Sequence, residues 1–193
     1  MAEAFGLYWL LTGDARFSDA VVGISNWLVR RIGQRQCVMG SDTLTWCSTE
    51  HNIDAYFSLH LANFLTKNAS YLAAANTIGA TLTTSLWNSG QSRFQTGYDD
   101  ASFSLDVQSW GSLWLVSSRY VGVDSMVARS DSALSFAEKF FLNKQTSVLL
   151  DKNGHAQIAS GVYPFFLLIL LVFIFIIVDT IRLHYIEQLH GIT

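Results

Sequence analysis

ANFLTKNASYLAAANTIGATL, residues 62–82, repeats a pattern already set at residues 8–28 by YWLLTGDARFSDAVVGISNWL. The offset is 54 residues. Leu7, Leu61 and Leu115 keep it, as do Ala20, Ala74 and Ala128. Phe17 answers to Tyr71, Val21 to Ala75, Ile24 to Ile78 and Leu28 to Leu82. A third, more worn copy, VSSRYVGVDSMVARSDSALSF, covers 116–136. Self-similarity at a fixed period of this length marks an architecture built from repeated supersecondary units.

Each copy reads as a helical hairpin. The segment from Thr49 to Phe64 is apolar on nearly every side, which predicts a helix packed on every side. The segment from Ser70 to Trp87 has its large apolar residues at Tyr71, Ile78, Leu82 and Leu86. Asn76, Thr77, Thr81 and Thr84 fall off that stripe, so one face covers a core and the other meets water. TGD at 12–14 and TKN at 66–68 are the turns, with Asp14 and Asn68 placed near the following helix starts. Inner helices are thus predicted near 3–11, 49–64 and 105–117, and outer ones near 16–32, 70–87 and 126–142. The loops at 33–48 and 88–104 are long, lie at one end of the layer, and have the length of functional loops.

The chain has 193 residues, half of them hydrophobic and 14% charged, with a formal net charge of −3. That composition folds. With no basic block, nucleic acid is not a partner to expect. Cys37 and Cys47, ten apart, are compatible with a disulfide, and no CxxC metal spacing occurs. The N-terminus shows no signal-peptide pattern, because its apolar run is short and no basic segment precedes it. From Ala156 to Val178 there is no charged residue, and PFFLLILLVFIFIIV is its core. At 1.5 Å per residue it reaches roughly 34 Å, enough for the hydrocarbon core. A membrane-spanning helix at 156–178 with a short tail at 179–193 is therefore expected. If that tail is foreign to the domain, the protein is soluble.

STEHNIDAYF, 48–57, holds the densest polar chemistry. Ser48 or Thr49 suits an N-cap, and EHNID forms the first turn. Glu50 and Asp54 share a face, and His51 reaches Asp54. Asp106, Gln108 and Trp110 repeat the arrangement in LDVQSWGSLWL, 105–115. Carboxylates, amides and aromatic faces suit carbohydrate, and paired carboxyls supply acid and base for glycoside hydrolysis. Glu50, Asp54 and Asp106 are the catalytic candidates. His51, Asn52, Tyr98, Gln108 and Trp110 are the substrate-binding candidates, and Asp99 and Asp100 of the GYDD loop lie within reach. No cofactor or metal is implied, since HxxD is weak for a metal and no HExxH, P-loop or GxSxG is present. Bland readings stand beside these. Acids at a helix start suit the macrodipole. Trp114, and to a lesser degree Trp110, fits a core. Asn68-Ala69-Ser70 is both a glycosylation sequon and an ordinary turn.

The hairpin pattern over residues 2–142, with STEHNIDAYF followed by LDVQSWGSLWL, resembles the six-hairpin glycosidase superfamily, a set of (α/α)6 toroids. The resemblance implies an all-α half-toroid over residues 1–150, three hairpins of six. It also implies a glycan-processing cleft where the inner helices begin and a carboxylate mechanism, usually inverting. An oligo- or polysaccharide is then the ligand, and a partner chain could complete the ring. The alternative is a membrane-anchored helical-repeat protein that binds glycan or protein without catalysis.

Overall fold

In the structure, a computed structural model, the described residues are 1–41, 43–44, 46–100, 102–118, 123–141, 149–150 and 156–157. The chain divides into two compact units, 1–137 and 138–193, so the first ends before the expected 150. It is mainly α-helical. The helices are α1 (Ala2–Thr12), α2 (Ser18–Arg31), α3 (Thr49–Thr66), α4 (Ala69–Thr84), α5 (Leu105–Ser118) and α6 (Val123–Phe141). Between α4 and α5 lies a short hairpin of β1 (Trp87–Asn88) and β2 (Arg93–Phe94), which the sequence reading takes as plain loop. The predicted outer helix 70–87 therefore stops early. Ser85 and Leu86 both donate their N–H to the Thr81 carbonyl, closing α4, and Trp87 pairs with Phe94.

In the second unit, β3 (Leu149–Leu150) pairs antiparallel with β4 (Ala156–Gln157). Ala156 and Gln157 are thus extended where a membrane-spanning helix was expected to begin. The rest of that span, 158–178, and the tail at 179–193 lie outside the described residues. Among the described residues, no helix is long and apolar enough to cross a membrane.

α3 is the hub of the first unit and packs against α1, α2, α4 and α5. Its apolar composition on all sides follows from those four neighbours: Ile53, Ala55, Tyr56, Leu59 and Ala62 are all buried. Gly6 lets α1 approach closely, because a Cβ there would sit 2.6 Å from Leu61. Along α4, Tyr71, Ala75, Ile78 and Leu82 are buried as the stripe requires. Thr81 is buried too, against expectation, because its hydroxyl donates to the Gln36 carbonyl at 2.9 Å.

The turns follow local rules. Gly13 and Lys67, which are 54 apart, both adopt the left-handed conformation after an inner helix. Asn68 caps α4 by accepting the Ser70 N–H. Asp14 does not cap α2, which begins at Ser18. It takes the Arg16 N–H and guanidinium instead, and these contacts hold its carboxyl down at about 2.

The 54-residue period holds from the first copy to the second and slips in the third. Ala128 is exposed while Ala74 is buried. The buried residues of α6 are Met126, Ser130, Ala133 and Ala137, each 55 beyond Tyr71, Ala75, Ile78 and Leu82. In α5, buried Leu115 answers to buried Leu59, an offset of 56, rather than to half-buried Leu61.

Candidate functional site

Three inner helices begin with an acid at the same place. Glu3, Glu50 and Asp106 are the second residues of α1, α3 and α5. Their spacings, 47 and 56 residues, straddle the repeat period, so a search at fixed offset misses Glu3. Its signal is positional: an acid one residue inside a helix start.

Glu3 joins Asp54, which lies one turn beyond Glu50 on α3. Burial, aided by the neighbouring Asp54 charge, pushes the Glu3 carboxyl from 4.5 up to about 7. Burial, with Glu50 beside it, raises Asp54 from 3.8 to about 6, against the opposing pull of His51. The order is self-consistent: Asp54 ionises first, and Glu3 must then ionise next to its charge. A helix N-terminus by itself favours the ionised carboxylate. Here desolvation outweighs the helix end. Asp54 Oδ1 is buried and accepts no hydrogen bond among the described residues.

The other expected site residues separate. His51 is exposed on the solvent side of the first turn, its backbone N–H turned to the Ser48 hydroxyl. Asp106 is exposed, and its Oδ1 takes the Val107 N–H. Trp110 is half-buried against the core, and Trp114 is wholly inside it. Tyr98 lies under the Arg35 guanidinium, 4.4 Å from its ring centre. The Asp99 carboxylate holds that guanidinium at 3.0 Å, while Asp100 accepts the Ser102 N–H.

Asn52 and Gln108 are not free to bind a ligand, which corrects the sequence reading of both. Each is fully buried and is the fourth residue of its helix. Asn52 Oδ1 accepts the Val38 N–H at 2.8 Å, and its amide donates to the carbonyls of Val38 and Ser48. Gln108 Oε1 accepts the Phe94 N–H at 2.9 Å, and its amide donates to Phe94 and Ser104. The pattern is the same twice over, a helix amide closing a two-bond ring on a buried residue fourteen positions upstream.

These clamps, with a disulfide, fix the loops around the acidic end. Cys37 and Cys47 are bonded, their Cα atoms 6.2 Å apart. Tyr98 donates its N–H to the Cys47 carbonyl, and the Thr49 N–H and hydroxyl reach Thr96 and Gln95. Compared with known protein families, with characterised proteins and with solved structures, the chain matches none.

The raised carboxyls carry a stability signature. The folded state holds these protons more tightly than the unfolded chain, so stability falls as pH climbs from about 4 to about 7. At about 1.4 kcal/mol per pH unit of displacement, Glu3 accounts for about 3 kcal/mol. Asp54, partly solvated, adds less. Asp14 acts in the opposite sense, and only below about pH 4. Urea unfolding is thus expected to show a higher midpoint at pH 4.5 than at pH 7.5. Glu3→Gln should flatten that difference and raise stability at pH 7.5. Equal midpoints in the native chain would show that Glu3 ionises as freely as in water.

Proposed function

We propose that the first unit is part of an (α/α) toroid and carries the acid–base end of a glycan-processing, glycoside hydrolase-like cleft. The observation that supports this is the pair Glu3 and Asp54, kept protonated toward neutral pH beside the half-exposed Glu50. A neutral carboxylic acid at working pH is what protonation of a glycosidic oxygen needs. In this reading Asp54 or Glu3 gives its proton to the leaving oxygen as the C–O bond breaks. Glu50 or Asp106 takes a proton from the water that attacks the anomeric carbon. The unpartnered Asp54 Oδ1 is where a sugar hydroxyl or the glycosidic oxygen would bond.

The ligand is an oligo- or polysaccharide. A partner chain that completes the ring fits the apolar surface left open. Leu11 on α1 and Val116 on α5 are 67% and 42% exposed, an unusual cost for helices otherwise apolar. An apolar span within 158–178 would tether such a unit to a membrane. Without catalysis, the same surfaces would serve a membrane-anchored glycan- or protein-binding repeat.

The test is release of reducing ends from a panel of neutral oligosaccharides by the full chain. Activity is expected to fall on the alkaline side with a midpoint between about 6 and 7. Asp54→Asn and Glu3→Gln should each lower it, the acid's own variant by about 100-fold or more. No turnover of any substrate, or full activity in both variants, overturns the enzymatic reading.

A further inference from the structure

The two long loops meet the C-terminal half of α4 and flank an open groove of about 570 Å3. Its walls carry Gln34, Gln36, Asn76, Thr77, Thr84 and Tyr98. None of Glu3, Glu50, Asp54 and Asp106 lines it, so the groove is separate from the carboxyl cluster.

The lining chemistry narrows the ligand. Amide side chains offer donors and acceptors together, and threonine hydroxyls keep acceptor capacity while donating to their own helix. Thr77 and Thr84 do this, giving their protons to the Ala73 and Ala80 carbonyls. Among the described residues, the one ionic side chain in the lining, Arg35, is already paired with Asp99 and stacked on Tyr98. A phosphate or carboxylate would find that cation already paired, and an ammonium group would find no bare carboxylate among the described residues of the lining. What remains is a concave surface for a neutral molecule rich in hydroxyls. The volume lies within the range of small-molecule sites, enough for about one or two sugar rings.

The groove is also built rather than incidental. Gln36 and Asp99, one from each loop, both hold the left-handed backbone region, at φ 61° and 59°. Non-glycine residues hold that conformation when surrounding structure imposes it, and such positions cluster at ligand clamps. The imposing contacts are the Thr81 bond to the Gln36 carbonyl, the Cys37–Cys47 bridge and the Arg35–Asp99 pair. Preorganised walls lower the ordering cost of binding.

We infer that this groove is a binding site for a neutral saccharide, which it holds without transforming. The inference goes beyond the carboxyl cluster and does not depend on its chemistry. The test measures binding of fluorescently labelled neutral gluco-, manno-, galacto- and xylo-oligosaccharides to the full chain, with a sugar phosphate and a neutral peptide as competitors. Saturable binding of at least one neutral glycan is expected. Thr84→Arg, on an exposed position near a helix C-terminus where a cation is tolerated, should fill the groove. It should weaken binding by about tenfold or more, as should Gln34→Leu on the exposed loop wall, with unchanged thermal melting. Asp131→Asn, an exposed change on α6 outside the lining, should bind as the native chain does, and reducing-end release, measured separately on the same variants, separates failure of this site from failure of the catalytic reading. The inference is overturned by no saturable binding up to about 10 mM. It is equally overturned by binding indifferent to Thr84→Arg, or by a preference for the peptide or the sugar phosphate.

Discussion

Asn52→Leu is expected to cost about 3 kcal/mol of folding stability, and Gln108→Leu about half as much. The substitutions are close in size, so the loss does not come from a void. It comes from the backbone they strand. Val38 and Phe94 are buried, and each exchanges both its N–H and its C=O with the amide of the helix. Removing the Asn52 amide leaves the Val38 N–H and C=O both unpaired, whereas removing the Gln108 amide strands only the Phe94 N–H, because the Phe94 carbonyl keeps the Arg93 guanidinium at 2.9 Å. Each stranded group costs about 1–3 kcal/mol, partly offset by the gain in apolar character. Urea unfolding by far-ultraviolet circular dichroism measures the change. A loss below about 1 kcal/mol in both variants would show that water replaces the amide readily and that the loops are not held by it. The clamps share no partner, so the double variant should show the sum of the single losses.

Trp114→Ala should be the most damaging truncation in the first unit, at about 3–5 kcal/mol. Its indole has no exposed surface and meets Tyr56 edge-to-face at 5.5 Å and Phe94 at 6.5 Å. It therefore joins α5 both to the hub helix and to the β hairpin. The site cannot collapse around the loss. One turn earlier, Gly111 lies so close against the Phe94 ring that any side chain there would overlap it. Phe94 is also pinned through its backbone by Gln108. With neighbours fixed on two sides, most of the volume stays as cavity. Trp27→Ala is the matched control: Trp27 is 49% exposed on α2 and should cost well under half as much. If the two variants unfold at the same urea concentration, the core is not organised around Trp114.

Helix positions were legible because periodicity is a property of side chains. The all-apolar run of α3 and the one-sided stripe of α4 announce how many neighbours each helix has. The clamps were illegible for a matching reason. Asn52 and Gln108 each stand beside a carboxyl in the first turn of a helix, and in sequence that looks the same whether the amide faces a ligand or a loop. Their partners are backbone atoms of Val38 and Phe94, and a backbone group leaves no residue type to read. Glu3 was hidden differently. It sits 47 residues before its counterpart, and its significance comes from burial against α3, a contact between separate helices. Tyr98 reads in the sequence as a loop aromatic suited to stacking on a sugar ring, but that its ring lies under the Arg35 guanidinium depends on where the other loop delivers Arg35.

The fourteen-residue clamp also bears on how such a chain can grow or be recombined. Each loop is bonded through its buried ring to the helix that follows it. The heritable cassette is therefore a loop together with its downstream hairpin, near 33–84 and 87–141, rather than the two helices alone. A duplication that copied only helices would deliver an Asn52 or Gln108 with nothing to grip. Length drift should be confined upstream of the gripped residue, and the two copies agree. Leu28 to Val38 spans ten residues and Leu82 to Phe94 twelve, whereas the interval from gripped residue to clamp is fourteen in both. Chimeras cut just before residues 33 and 87 should then exchange cassettes with the grip intact, and cuts at residues 48 and 104 should sever it.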